Sequence, residues 1–509
     1  SATAIAIVGL SATAFSVFYG RRFGEVGLGH AALALAVGTG VPQVACAGLV
    51  GGITRFVAAR RGAGDRAGTA RALARGLGAC AILGLGLGGA ALATAPAWAP
   101  RVGLPAGLVA PAAALVVLEC LYFGLKASLY GLALVASYAR LELAGGAIFA
   151  ALLTALLAGA PVTPIAPFLA ADVALVGLGA ATLWRGRALW LPGAGEPGGL
   201  ASADPAPTEA PTHGTDGRTG AHAVPAEAPV RGDAPARPAE RPDDGSMTRW
   251  VAVAYLGTAA SLARLRLPVL VAGAALAAAD AGRLQAAFAF FAPLMLVPRA
   301  LELALLPWLA RAHAVADRAA LRARTEGATA AVAAGMAVLG GALLLGAEAV
   351  LVALFGPTFA PAAPALWAVV AGAWLVGLAS PSVVALSGAD GVAVVSAAGV
   401  AGLVASAVVW MAAVPALGAT GAALGFAAGS AVAAGWPLLA ARRRYGVASR
   451  AAWTISLRAA AVLIVGWVAL RALGPADADG ARWFVQAAVA IAYAFGAAAA
   501  TRGPLADLL

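Results

Sequence analysis

Thr248–Gly273 reads TRWVAVAYLGTAASLARLRLPVLVAG. A bilayer hydrocarbon core of about 30 Å takes about 20 helical residues, so this stretch is long and apolar enough to span one. Yet Arg264 and Arg266 sit near its midpoint. A charge at that depth costs at least about 2.5 kcal/mol, so it faces a cavity or a partner in preference to lipid. Two positions apart means about 200° around a helix, and the two side chains cannot share a face. One is expected to line a cavity and bind an anion, the other to pair with a carboxylate between helices. Arginine suits phosphate because its fork donates two hydrogen bonds at once and its charge is permanent. The competing reading makes both arginines structural, or has them snorkel to an interface.

The rest of the 509-residue chain fits that context. It is 62% hydrophobic and 11% charged, against about 25% charged for soluble domains. Fourteen or so apolar stretches are long enough to span: about 2–19, 27–50, 73–95, 106–127, 139–159, 166–184, 249–274, 283–307, 327–350, 363–386, 391–413, 419–440, 453–472 and 483–501. This predicts an all-α polytopic membrane protein. Arginines gather in alternate connections: Arg55, Arg60, Arg61, Arg66, Arg71 and Arg75; then Arg185 and Arg187; then Arg311, Arg318, Arg322 and Arg324; then Arg442, Arg443 and Arg444. By the positive-inside rule those connections, and both termini, are cytoplasmic. Arg21 and Arg22 in the first external loop break the rule mildly. The net charge of +11 therefore reflects topology, and no nucleic-acid partner is expected.

Residues 191–247 differ from everything else. They hold ten of the thirty prolines, no aromatic residue, and nine acids against four arginines. This composition predicts a disordered cytoplasmic linker. It divides the chain into an N-terminal six-helix bundle (1–190), a C-terminal six-helix bundle (248–445) and two further membrane helices (446–509). The halves resemble each other. Glu25-Val-Gly27-Leu-Gly-His-Ala31-Ala32 matches Asp280-Ala-Gly282-Arg-Leu-Gln-Ala286-Ala287. Each second span carries a central proline (Pro42, Pro298) and leads to Asp-Arg-Ala (Asp65, Arg66, Ala67; Asp317, Arg318, Ala319). An even number of spans per half gives parallel repeats, and transporters built that way hold substrate near the midplane between them.

Other polar residues inside spans are candidates for the same site. Arg299 and Glu302 are i, i+3 on the eighth span, which suggests an intrahelical ion pair near the helix-breaking Pro293, Pro298 and Pro307. Glu119 lies deep in the fourth span, with Tyr122 and Lys126 one and two turns on. It could titrate, or partner an arginine of the other half. Asp172 and Gln43 are weaker candidates. For each of these three, an ordinary interhelical hydrogen bond competes with a transport role. Arg140 and Glu142 suggest a pair at headgroup level. Cys46, Cys80 and Cys120 read as small buried hydrophobes, and no Cys or His spacing suggests a metal. Gly84 and Gly88 suggest close helix packing.

Phe23-Gly24-Glu25-Val26-Gly27, the stretch from Gly48-Leu49 through Thr54-Arg55-Phe56-Val57-Ala58 to Gly62-Ala63-Gly64-Asp65, Leu354-Phe355-Gly356-Pro357-Thr358-Phe359 and Pro415-Ala416-Leu417-Gly418-Ala419-Thr420-Gly421 together resemble the polysaccharide-exporting flippases of the multidrug/oligosaccharidyl-lipid/polysaccharide superfamily. The resemblance implies two bundles in a V, extended by two C-terminal helices, in a bacterial cytoplasmic membrane. It implies a transporter, not an enzyme, that moves an undecaprenyl-pyrophosphate-linked glycan by alternating access. Its partners would be that lipid-linked anionic glycan, membrane lipids and polysaccharide polymerase machinery. No cofactor is implied beyond H+ or Na+ as coupling ion. Substrate would meet Arg264, Arg266, Arg299 and Gln43, while Glu119, Glu302 and Asp172 would serve coupling or ion pairing. One departure stands out: Arg264-Leu265-Arg266 has a second arginine where an Arg-x-Asp-like pair is common in that family. A multidrug extruder or a peptidoglycan-precursor flippase of the same superfamily are the alternatives. A membrane glycan polymerase or ligase is the remote one, because the external connections are short and no nucleophile–base pair is legible.

Overall fold

The computed structural model describes residues 2–157, 165–191, 244–302, 317–387, 391–472 and a few positions beyond or between these. Among them every regular element is a helix. The long ones are α1 (Ala2–Leu35), α2 (Val41–Gly62), α3 (Arg66–Ala93), α4 (Ala106–Gly131), α5 (Val135–Leu157), α6 (Ala166–Arg185), α7 (Asp244–Ala275), α8 (Ala278–Phe288), α9 (Arg318–Leu345), α10 (Ala347–Phe355), α11 (Ala363–Ser387), α12 (Val392–Leu417), α13 (Ala419–Tyr445) and α14 (Arg450–Ala472). Twelve helical stretches among the described residues are long and apolar enough to cross a membrane. The chain is a multi-pass membrane protein. The first stretch, Thr13–Gly62, is 50 residues long. It covers two expected spans, because Gly24 (φ 68, ψ −171) breaks the helix between them. Of the expected span at 483–501 only a few positions are described, all helical, with Ala490, Tyr493 and Ala497 buried, and most of the 191–247 segment lies outside the described residues. α7 begins at Asp244, four residues inside the stretch read as linker.

The prolines act where the sequence places them. Pro42 has no N–H to offer the carbonyl four residues earlier, and the helix widens into a π-turn over Ala36–Gly40 just before it. In the second half the equivalent crossing, Ala278–Glu302, is interrupted at Ala289–Phe290 and again at Met295, three residues before Pro298. The repeated Asp-Arg-Ala motif also has a local cause. Asp65 caps α3 by accepting from Gly68 N at 2.7 Å, and Asp317 caps α9 by accepting from Ala320 N at 2.9 Å. Both have nearly the same backbone angles (φ −79, ψ 82 and φ −79, ψ 89). The Gly68 N–H and, less strongly, the Arg60 guanidinium hold the half-buried Asp65 carboxyl below its usual range.

Lipid supplies no hydrophobic drive between membrane helices, so close packing over small residues holds them together. Gly84 and Gly88 let α3 lie against Val117, Cys120 and Ala113 of α4, as the spacing suggested. The three cysteines are free and buried in the apolar core shared by α2, α3 and α4. α7 packs on α12 and α13 of its own half and reaches across to α2 of the other. α14 rests on α9 through Ile455, Ala459 and a face of alanines from Ala330 to Ala337.

Candidate functional site

Arg266 lies where the two halves of the chain meet. Its Nε donates to Gln43 Oε1 of α2 at 3.0 Å. The approach depends on Gly40, the last residue of the π-turn: a Cβ there would stand 3.3 Å from Arg266 Cβ and 3.4 Å from its Cγ. The proline-induced turn and the bare glycine thus form the shelf over which the arginine stem passes. Arg266 is half-buried, with Glu119 of α4 and Arg299 in electrostatic range. Glu119 in turn has Asp172 of α6 in range. Asp172 is 8% exposed and its Oδ2 has no hydrogen-bond partner. The seam therefore brings together guanidinium groups from the second half with an amide and two carboxylates from the first.

Arg299 and Glu302 do not form the ion pair that their i, i+3 spacing suggests; none joins them within 4.0 Å. The helix restarts after Met295, leaving Arg299 exposed. Glu302 sits beside Ser380 of α11.

Arg264 takes the opposite face, as the 200° separation requires, but finds no carboxylate. It donates to Ser430 Oγ of α13, and its guanidinium lies 5.6 Å from the centre of the Phe426 ring. It is 6% exposed, and its Nε has no partner. Its Cδ lies against Gly429. The side chain is turned into the helices of its own half, away from the seam that holds Arg266. The expected carboxylate partner is replaced by a hydroxyl and an aromatic face.

Two constellations were missed. Glu142 does not pair with Arg140, which donates instead to Ala136 O. Glu142 Oε1 accepts from Tyr122 Oη at 2.7 Å, from Lys126 Nζ at 3.1 Å and from Tyr138 Oη. The only lysine of the chain, 5.1 Å from the centre of the Tyr138 ring, thus closes a polar knot between α4 and α5. The sequence did carry Tyr122 and Lys126 at helical spacing, but read them toward Glu119. Four residues separate the two, so both follow the α4 face that meets α5.

The second missed constellation joins the two repeat motifs to each other. Arg283 donates from Nε to Glu25 Oε2 at 2.7 Å and from Nη2 to Glu25 Oε1 at 3.0 Å, with Asp280 at 3.5 Å. The backbones touch beside it. A Cβ on Gly29 would fall 1.8 Å from Ala278 O, and one on Gly282 would fall 1.9 Å from Glu25 O. Only glycine fits either position. Close by in sequence, Arg21 donates to the carbonyls of Leu354 and Ala353. It caps the last turn of α10, which accounts for a cation in a loop where the charge rule disfavours one.

No family model and no curated protein sequence matches this chain. Solved structures do. An inward-facing multidrug resistance MATE family transporter of the MOP superfamily superposes with TM-score 0.62 at 14% identity, over 88% of this chain and 95% of that one. The lipid II flippase MurJ, in an inward closed conformation, superposes with TM-score 0.62 at 11% identity, over 98% of this chain and 97% of that one. A MATE structure in a bent conformation gives 0.52 at 15% identity, over 89% and 95%. The chain has the MATE and MurJ fold. The match covers 88–98% of this chain and 95–97% of the others, so the likeness is one of the whole fold.

Proposed function

We propose that this protein is a transporter of the MOP-superfamily type that moves a lipid-linked oligosaccharide with an anionic pyrophosphate headgroup across a bacterial cytoplasmic membrane by alternating access. The observation that carries the reading is Arg266. It is a permanent cation in mid-span, held by a neutral amide from the opposite half, at a junction that a rocking motion would open. An amide holds a guanidinium in place without neutralising it, leaving the charge for an incoming phosphate. Arg299 adds a second cation in range, and Glu119 and Asp172 supply carboxylates that could carry a coupling H+ or Na+. In this scheme the headgroup binds at the seam, the prenyl tail stays in lipid, and the halves exchange which face is open.

A second reading, extrusion of a cationic solute, is favoured by the burial of Asp172 and its nearness to Glu119. The two readings part on one substitution. Proteoliposomes carrying purified protein are tested with a fluorescent undecaprenyl-pyrophosphate-linked oligosaccharide, using a membrane-impermeant quencher to score transfer. Loss of one charge-assisted hydrogen bond, about 1.5–3 kcal/mol, predicts a fall of about 10- to 100-fold for Arg266→Gln. Transfer at the wild-type rate by Arg266→Gln, with the variant normally folded, would remove the basis of the first reading. Retained uptake of a cationic dye by that variant, lost in Asp172→Asn, would establish the second.

A further inference from the structure

Arg264 is a buried cation without a counter-charge. It is 6% exposed, and among the described residues no carboxylate lies within 4.0 Å of it. Arg266, two residues on, has Glu119 in electrostatic range; Arg264 has no such neighbour among the described residues. The transport reading makes no use of it. We propose that Arg264, together with Ser406, is the binding site of a chloride ion inside the second half of the protein.

A buried guanidinium without a counter-ion is costly, which is why buried charges in proteins are paired. Ser430 offers Arg264 a lone pair and no charge: its hydroxyl donates to Phe426 O at 2.8 Å and accepts from Arg264. The Phe426 ring adds only the weak field of its face. Two buried donors then remain unused. Arg264 Nε has no hydrogen-bond partner, and neither has Ser406 Oγ of α12, a residue fully enclosed. Both flank one glycine of α13: a Cβ on Gly429 would fall 1.9 Å from Ser406 Oγ and 2.9 Å from Arg264 Cδ. A charged N–H and a hydroxyl, both unpaired and both against the same bare backbone, are complementary to one acceptor that carries negative charge.

The packing selects a monatomic anion. α12 and α13 meet here through glycine, and a Cβ on Gly429 would also fall 2.3 Å from Gly402 O. No polyatomic anion fits between helices so close. Access follows hydroxyls along the same interface. A Cβ on Gly257 of α7 would fall 2.5 Å from Ser396 Oγ, and one on Gly399 of α12 would fall 3.0 Å from Ser261 Oγ. Ser396, Ser261 and Ser406 thus lead from the start of α12 to the level of Arg264, and they offer a dehydrating halide donors in place of water.

The test uses the purified full chain in detergent, moved between chloride and gluconate at equal ionic strength. Binding is read from the line width of the chloride nuclear resonance, and stability from thermal unfolding. Wild type is expected to bind chloride saturably, to exchange it for bromide but not for phosphate, and to melt higher in chloride than in gluconate. Arg264→Met removes the charge and keeps most of the volume. It is expected to weaken chloride binding at least about tenfold and to abolish the gain in melting temperature. In gluconate it is expected to melt no lower than wild type, whose charge is then uncompensated; a purely structural arginine would give the opposite direction. Ser406→Ala, a change too small to unfold the protein, is expected to weaken chloride binding severalfold. Equal melting of wild type in the two salts, chloride binding unchanged in Arg264→Met or in Ser406→Ala, or displacement by phosphate would overturn the proposal. An ion kept in Arg264→Met and lost in Arg266→Gln would place the chloride at the seam and overturn it likewise.

Discussion

Reversing the charge at Glu25 should open the junction between the two repeats. The pair with Arg283 is bidentate at 2.7 and 3.0 Å, with side chains 29% and 22% exposed. Two unit charges about 4 Å apart attract by about 4 kcal/mol at an effective dielectric of 20. Desolvation and the exposed fraction remove much of that, and exposed pairs retain only about 0.2–1 kcal/mol. About 1–2 kcal/mol is a fair net value for this half-buried, two-pronged pair. Glu25→Gln should therefore raise the open population about 5- to 30-fold, at 1.4 kcal/mol per tenfold. Glu25→Arg adds repulsion and should shift it further. Adding Arg283→Glu should restore closure only in part, because the carboxylate placed at 283 meets Asp280 one turn away. The assay is electron–electron double resonance in nanodiscs between spin labels at Val26 and Ala277, both exposed, in a background with Cys46, Cys80 and Cys120 replaced by Ala. Wild type should give one short distance, Glu25→Arg a second and longer one, and the double variant a mixture dominated by the first. Identical distributions in wild type and Glu25→Arg would show that the glycine contacts alone hold the junction, and the ion-pair reasoning would be wrong.

Two more outcomes follow from the polar contacts outside the seam. Lys126→Met should cost about 1–3 kcal/mol in thermal or denaturant unfolding, because it strands Glu142 against two tyrosines, and Lys126→Met with Glu142→Gln should cost less than the single change. Asp65→Ala should lower Tm at neutral pH. The native carboxyl is held below its unfolded value, so its stabilising effect is present above the unfolded value and is lost as pH falls through the native one. The gap between Asp65→Ala and wild type should therefore close in strongly acidic buffer; a gap that is the same at every pH would rule out the capping account.

Much of the seam was legible in one dimension. Arg266 was visible because charge in mid-span is costly, and Gln43 because it sits beside a helix-breaking proline. The repeated Asp-Arg-Ala motif marked two equivalent helix starts, and the structure shows why an aspartate stands there. Partner choice was not legible. Spacing along a helix gives the face a side chain occupies, but not which helix lies opposite. Glu142 therefore pairs with Lys126 of α4 and two tyrosines in place of Arg140, and Arg299 and Glu302 form no ion pair despite their i, i+3 spacing. The Glu25–Arg283 pair joins positions 258 residues apart, and no local pattern could pair them.

Sequence alone made legible a helical, multi-pass membrane protein with positive charge in mid-span, because hydropathy, charge bias and helix period are properties of the chain itself. Only the tertiary structure decided that Arg266 faces the other half while Arg264 is enclosed in its own. That choice depends on which helices pack on each face of α7: a π-turn with a bare glycine on one side, and Ser430 with Phe426 on the other.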